Sequence, residues 1–163
     1  MKSLTLSSVL LACICSAGEK HEHGRAELNI AIEGSGLTAE FDSPADSILG
    51  FEHTPRTAQE KKAAAAALEI LRTRGGELLL LPVDAGCQFA AGKASLAAEG
   101  SGHQDVEASF RATCRKPLKR GDIRFAFGKH FPGIRQLVVQ VVGADFQTGA
   151  TIPDGKGTVR FGP

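Results

Sequence analysis

Five histidines, His21, His23, His53, His103 and His130, hold most of the metal-binding and proton-transfer potential of this sequence. His21-Glu22-His23-Gly24 is the most suggestive setting among them. In an extended chain, residues two apart point the same way. Both imidazoles can then reach one metal ion, with Glu22 or a backbone oxygen beside them. Zinc fits because imidazole and carboxylate are among its normal ligands; copper, nickel and other divalent transition metals accept the same donors. Two histidines do not close a four-coordinate site, so further donors must come from elsewhere in the fold. The competing reading is a solvated terminus with two incidental histidines, and spacing alone does not separate the two.

The other histidines are weaker signals. His53 lies in the loop Gly50-Phe51-Glu52-His53-Thr54-Pro55, where it is either a third ligand or a hydrogen-bond partner of the loop backbone. His103-Gln104-Asp105, with Glu107 just beyond, puts a histidine and two carboxylates on one edge. That is a weak metal site or a polar turn. His130, in Lys129-His130-Phe131-Pro132, reads as a surface histidine. A protonated imidazole cannot ligate, so any such site weakens as pH falls through the imidazole range, about 6.5 in model peptides.

Motifs of catalysis are missing. There is no H-E-x-x-H, no G-x-S-x-G, no P-loop and no Rossmann glycine pattern. A hydrolase is therefore the weakest of the functional readings, and we expect no enzyme. The 163 residues suffice for one domain. Their net charge of +1 gives no electrostatic footprint for nucleic acid. Trp and Tyr are absent, which removes the usual base-stacking platforms.

The amino terminus reads as an export signal. Lys2 precedes an apolar stretch from Leu4 to Ile14, too short to span a bilayer. Cys15-Ser16-Ala17 resembles a cleavage site, which gives a signal peptide over 1–17 and a single periplasmic domain over 18–163. An alternative is a lipobox, Leu10-Leu11-Ala12-Cys13, although Leu11 stands where a smaller residue is usual. Only lipidation at Cys13 would attach this protein to a membrane as an inner- or outer-membrane lipoprotein. After cleavage at Ala17, Cys87 and Cys114 remain. In an oxidising compartment two such cysteines usually pair; two buried free thiols are the alternative.

These side chains must be positioned by a framework, which the sequence outlines. Ala26, Leu28, Ile30 and Ile32 alternate with polar residues, as do Leu37, Ala39 and Phe41 after the turn Gly34-Ser35-Gly36. That predicts a hairpin of half-buried strands. Residues 58–74 predict a helix, with Thr57 and Glu60 as a capping box and Gly75 as the stop. Leu78–Leu81 reads as a central strand covered on both faces. Residues 87–99 alternate weakly and 105–115 cleanly, with Cys114 on the apolar face. Ile123, Phe125, Phe127 and Phe131 suggest a short second helix near 122–131. Gln136–Val142, Phe146–Ile152 and Thr158–Phe161 complete the strands. The expected class is α+β: a mostly antiparallel sheet of about seven or eight short strands, packed with one main helix.

The opening residues, His21-Glu22-His23-Gly24-x-Ala26-x-Leu28-Asn29-x-Ala31, resemble the start of the ZrgA-like zinc-regulated periplasmic proteins of bacteria. The resemblance continues through Ser43-Pro44-Ala45, Gly50-Phe51-Glu52-His53, Pro55 and Glu60-Lys61. Cys87, Cys114, Phe131-Pro132-Gly133 and Val139-x-x-Val142 follow in the expected order. It implies a non-catalytic periplasmic protein that binds zinc and supports its uptake, handing the ion to a transporter or its binding protein. By position it implies His21, His23, His53 and His103 as metal candidates. The loop at His103 departs from the family pattern: a long insertion rich in His, Asp and Glu has shrunk to Gly102-His103-Gln104-Asp105. The reading from another class is an envelope structural or interaction protein with no metal function.

Overall fold

Alternation of apolar and polar residues builds the first hairpin. β1 (Arg25–Glu33) buries Ala26, Leu28, Ile30 and Ile32, and β2 (Gly36–Pro44) buries Leu37, Ala39, Phe41 and Ser43. The two pair antiparallel from Glu27↔Asp42 to Glu33↔Gly36, around a turn in which Gly34 takes a positive φ. The computed structural model describes residues 22–98 and 102–163. The expected signal peptide over 1–17, the lipobox cysteine Cys13 and His21 lie outside the described residues.

Helices follow in three pieces. α1 (Ala45–Leu49) leaves directly from β2. α2 (Ala58–Thr73) carries the expected capping box: Thr57 Oγ1 accepts from Glu60 N, and the Glu60 carboxylate accepts from Thr57 N. Its buried stripe is narrow, made of Ala64, Ala67 and Leu71. α3 (Gly75–Leu78) is a single turn that begins almost at once. The expected strand at Leu78–Leu81 therefore shrinks to β3 (Leu79–Leu80). Leu78 belongs to the helical turn, and β3 is an edge strand of a small sheet, not a central one. An unbroken apolar run has no periodicity to tell helix from strand, which is why both forms meet here.

The remaining strands are β4 (Gln88–Phe89), β5 (Lys93–Ala98), β6 (Gln104–Thr113), β7 (Gly121–Ala126), β8 (Gln136–Val142), β9 (Gln147–Pro153) and β10 (Lys156–Phe161). β7 and the single-turn α4 (Phe127–His130) replace the expected helix near 122–131. Ile123 and Phe125 are two apart, which is strand spacing, and both are buried. The described residues hold ten strands where seven or eight were expected, because the weak alternation of 87–99 is two separate strands and β7 stands where a helix was expected.

The strands form two sheets. Seven make a large sheet in the order β4-β6-β2-β1-β8-β9, with β5 also paired to β6. Three make a small sheet, β10-β7-β3. Every pairing is antiparallel except β1–β8, which runs parallel from Arg25↔Gln136 to Ala31↔Val142. The class is thus α+β with mostly antiparallel sheets. The core lies on the inner face of the large sheet, where Leu28, Ile30, Phe41, Phe110 and Val139 join Leu71, Ile123, Phe125, Phe127 and Phe161. Phe127 stacks on Phe41 at 5.1 Å between ring centroids and meets Phe110 edge-on at 6.1 Å. Cys87 and Cys114 form a disulfide that ties the start of β4 to the end of β6. Among the described residues no helix is long and apolar enough to cross a membrane.

Candidate metal centre

The segment that presents His23 is fastened by its glycine. Gly24 has φ +83°, a left-handed conformation that favours glycine. Its N–H donates to the buried Ser47 Oγ at 2.9 Å, and its carbonyl accepts from Arg135 N at 2.7 Å and Gln136 N at 2.9 Å. A Cβ here would stand 2.7 Å from Arg135 Cγ. Three hydrogen bonds therefore fix the backbone immediately after His23, at the point where β1 joins β8.

The acidic side of the site comes from α1 and the loop behind it. Pro44 ends β2 and α1 begins at once, bringing Asp46 and Ser47 to the same end of the sheet. Gly50, with φ +79°, stops the helix and returns its N–H to Asp46 O at 2.8 Å. The chain then turns back through Phe51 to Glu52. Gly133 packs its backbone so tightly against Ser47 that a Cβ there would collide with the Ser47 carbonyl. The Phe131-Pro132-Gly133 stretch thus braces α1 from behind.

These elements converge on Glu52. Its Oε1 pairs with His23 Nε2 and its Oε2 pairs with His103 Nδ1. The other His23 nitrogen, Nδ1, lies 3.2 Å from Asp46 Oδ2. His103 arrives from the opposite direction, one residue before β6, so two histidines far apart in sequence share one carboxylate. The site faces outward: the His23 and His103 side chains are 60% and 47% exposed, whereas Glu52 is 23% exposed. Among the described residues no three of His, Cys, Asp and Glu are arranged to hold a metal ion. The donors are engaged with one another, imidazole to carboxylate.

The other sequence candidates lie apart. His53 follows Glu52 directly, but its Nδ1 bonds the Thr54 carbonyl at 3.0 Å and its Nε2 faces Glu60 Oε1 at 3.8 Å. Phe51 stacks on its ring at 5.2 Å. His130, expected at the surface, is largely covered, with 13% of its side chain exposed and Glu77 3.6 Å away. It ends α4, whose first two residues are buried in the core. Asp105 is buried beside Pro44 in the β2–β6 register, while Glu107 points to the outer face. Sequence reasoning assigned no role to Glu52 or Asp46. Glu52 was visible only as a neighbour of His53, and nothing in its spacing marks Asp46.

The chemistry available is that of a small acid–imidazole cluster. Two imidazoles and a carboxylate are a donor set that zinc accepts. Asp46 stands where a carboxylate commonly orients a ligating histidine through its other nitrogen. Glu60 lies outside this cluster, yet its carboxyl is shifted toward acid. The Thr57 and Arg56 backbone N–H groups hold its carboxyl below the usual range, helped by His53.

Two surface imidazoles thus meet on one carboxylate at the end of an α+β scaffold. Residues 20–161 match the family described as ZrgA family zinc uptake protein, and the chain belongs to that family. No curated protein matches the chain. Membership ties the protein to zinc uptake.

Proposed function

We propose that this protein is an exported, non-catalytic zinc-binding accessory of bacterial zinc uptake, acting in the periplasm and passing the ion to a transporter or its binding protein. The observation that carries this reading is the meeting of His23 and His103 on the two oxygens of Glu52. Zinc is the cargo. His23 Nε2, His103 Nδ1 and the Glu52 carboxylate are its ligands, and Asp46 orients His23. Binding exchanges two imidazole–carboxylate contacts for bonds to the metal. The exposed position suits an ion that must be handed on.

A zinc competition titration on the purified protein tests this. Tight, stoichiometric binding in the wild type should collapse in His23→Ala/His103→Ala and weaken strongly in Glu52→Gln. His53→Ala should retain it. Absence of binding in the wild type would overturn the proposal and favour an envelope-interaction protein that keeps only the family fold.

A further inference from the structure

We propose that the turn Val83–Ala85 and the basic segment beside it, residues 115–120, form a docking surface for an anionic phospholipid membrane. The near-zero net charge of the chain conceals a segregation. Residues 111–163 carry ten Lys and Arg against three Asp, although the whole chain has 19 basic residues against 18 acidic ones. Four of the ten fall in Arg115-Lys116-Pro117-Leu118-Lys119-Arg120, and all four are exposed. Among the described residues none of the four is paired with a carboxylate, whereas Arg160, which lines a shallow groove with Arg120, holds Asp122 at 3.1 Å.

The segment is a fixed platform. Leu118 is buried, and its N–H donates to the Gly34 carbonyl at 2.8 Å. Arg115 N and Lys116 N both donate to the Ala85 carbonyl, at 2.9 and 3.2 Å. The Arg115 guanidinium lies so close over Gly86 that a Cβ there would collide with it. Pro82 Cγ stands 2.8 Å from where a Gly121 Cβ would be. The turn is thus wedged between Arg115 and the residue after Arg120. At its tip Val83 is 93% exposed. One exposed valine is ordinary by itself; here a turn fixed on both sides holds it out among unpaired cations. Asp84 is the one acid on the turn, and the four cations outnumber it. An anionic lipid surface answers both features: its phosphates meet the cations, and the apolar tip enters the boundary with the acyl chains. An acidic partner in solution answers only the charge. The platform lies at the Gly34 end of the first hairpin, and the His23 corner lies at the other. The nine residues of β1, roughly 30 Å of strand, separate them, so a docked molecule turns that corner away from the lipid. None of this rests on the zinc reading.

The test is flotation of the purified protein with vesicles, phosphatidylcholine alone against an equal mixture with phosphatidylglycerol. Binding should appear on the mixed vesicles and fall as salt rises, because such contacts are screened. Lys116→Gln/Lys119→Gln should weaken it by about 30-fold, at about fivefold for each cation. Both side chains are exposed, so that variant remains folded. The sequence has no Trp, so Val83→Trp supplies a single reporter whose emission should shift to the blue on the mixed vesicles alone. No binding to the mixed vesicles, equal binding to both kinds, or an unmoved Trp signal in bound protein would overturn the proposal. Self-association without lipid that Lys116→Gln/Lys119→Gln abolishes would assign the surface to a second copy of this chain and overturn it as well.

Discussion

Replacing Ser47 with alanine removes the hydroxyl that accepts the Gly24 N–H, without touching any metal donor. Ser47 is 2% exposed and the bond is buried at 2.9 Å. The variant loses a hydrogen bond and leaves a buried donor unmet, at a cost of about 1–3 kcal/mol. In a chain of this length each kcal/mol lowers the thermal midpoint by roughly 2–4 °C. Urea unfolding should show the loss as a lower midpoint with an unchanged slope. Zinc affinity should fall as well, because Gly24 fixes the backbone after His23. Freeing one such side chain costs about 0.5–1.5 kcal/mol on binding, or about 2- to 12-fold in affinity. Stability within about 0.5 kcal/mol of the wild type, the range of an ordinary surface substitution, would refute the claim that Ser47 holds Gly24. Lower stability with unchanged zinc affinity would refute the claim that this anchor serves His23 as a ligand.

Three further outcomes are expected. Removing the disulfide as Cys87→Ala/Cys114→Ala frees a sequence separation of 27 residues, which the chain-entropy estimate puts at about 3.5 kcal/mol, measurable by urea unfolding against the oxidised wild type. Gly133→Ala forces a methyl into the Ser47 backbone and should cost about 1–3 kcal/mol by the same assay. Glu60→Gln should change the pH dependence of the thermal midpoint. The folded carboxyl titrates below its unfolded value, so its stabilisation is complete above the ordinary carboxylate range and is lost as pH falls through the lowered value; the gap between wild type and variant should therefore close in acid.

Some elements were legible because one face of each is buried and the other solvated. The alternation in β1, β2 and β6 and the capping box of α2 are local patterns, and the structure follows them nearly to the residue. The disulfide followed from cysteine number and the export reading. Other elements were hidden. α1 is five residues long, too short to show a period. Phe125 and Phe127 look alike in sequence, but one lies within a strand and the other starts a helical turn. The site suffered most. His23, Asp46, Glu52 and His103 come from four separate segments, and only the fold brings them together. A carboxylate two residues beyond a helix-stopping glycine carries no signature of its own.

The parallel pairing of β1 with β8 has a consequence for how the molecule is made. Residues 25–31 lie in the middle of the large sheet, yet half of their ladder is supplied by residues 136–142. Such distant contacts must pay the entropy of closing a long loop before any gain arrives, and they slow folding. A chain emerging amino end first therefore keeps its first strand waiting on one side until most of the sequence exists. The carbonyl of Gly24 waits for the same event, since its donors are Arg135 and Gln136. The corner that carries His23 is therefore complete only once residues 135 and 136, far along the chain, have come back to it.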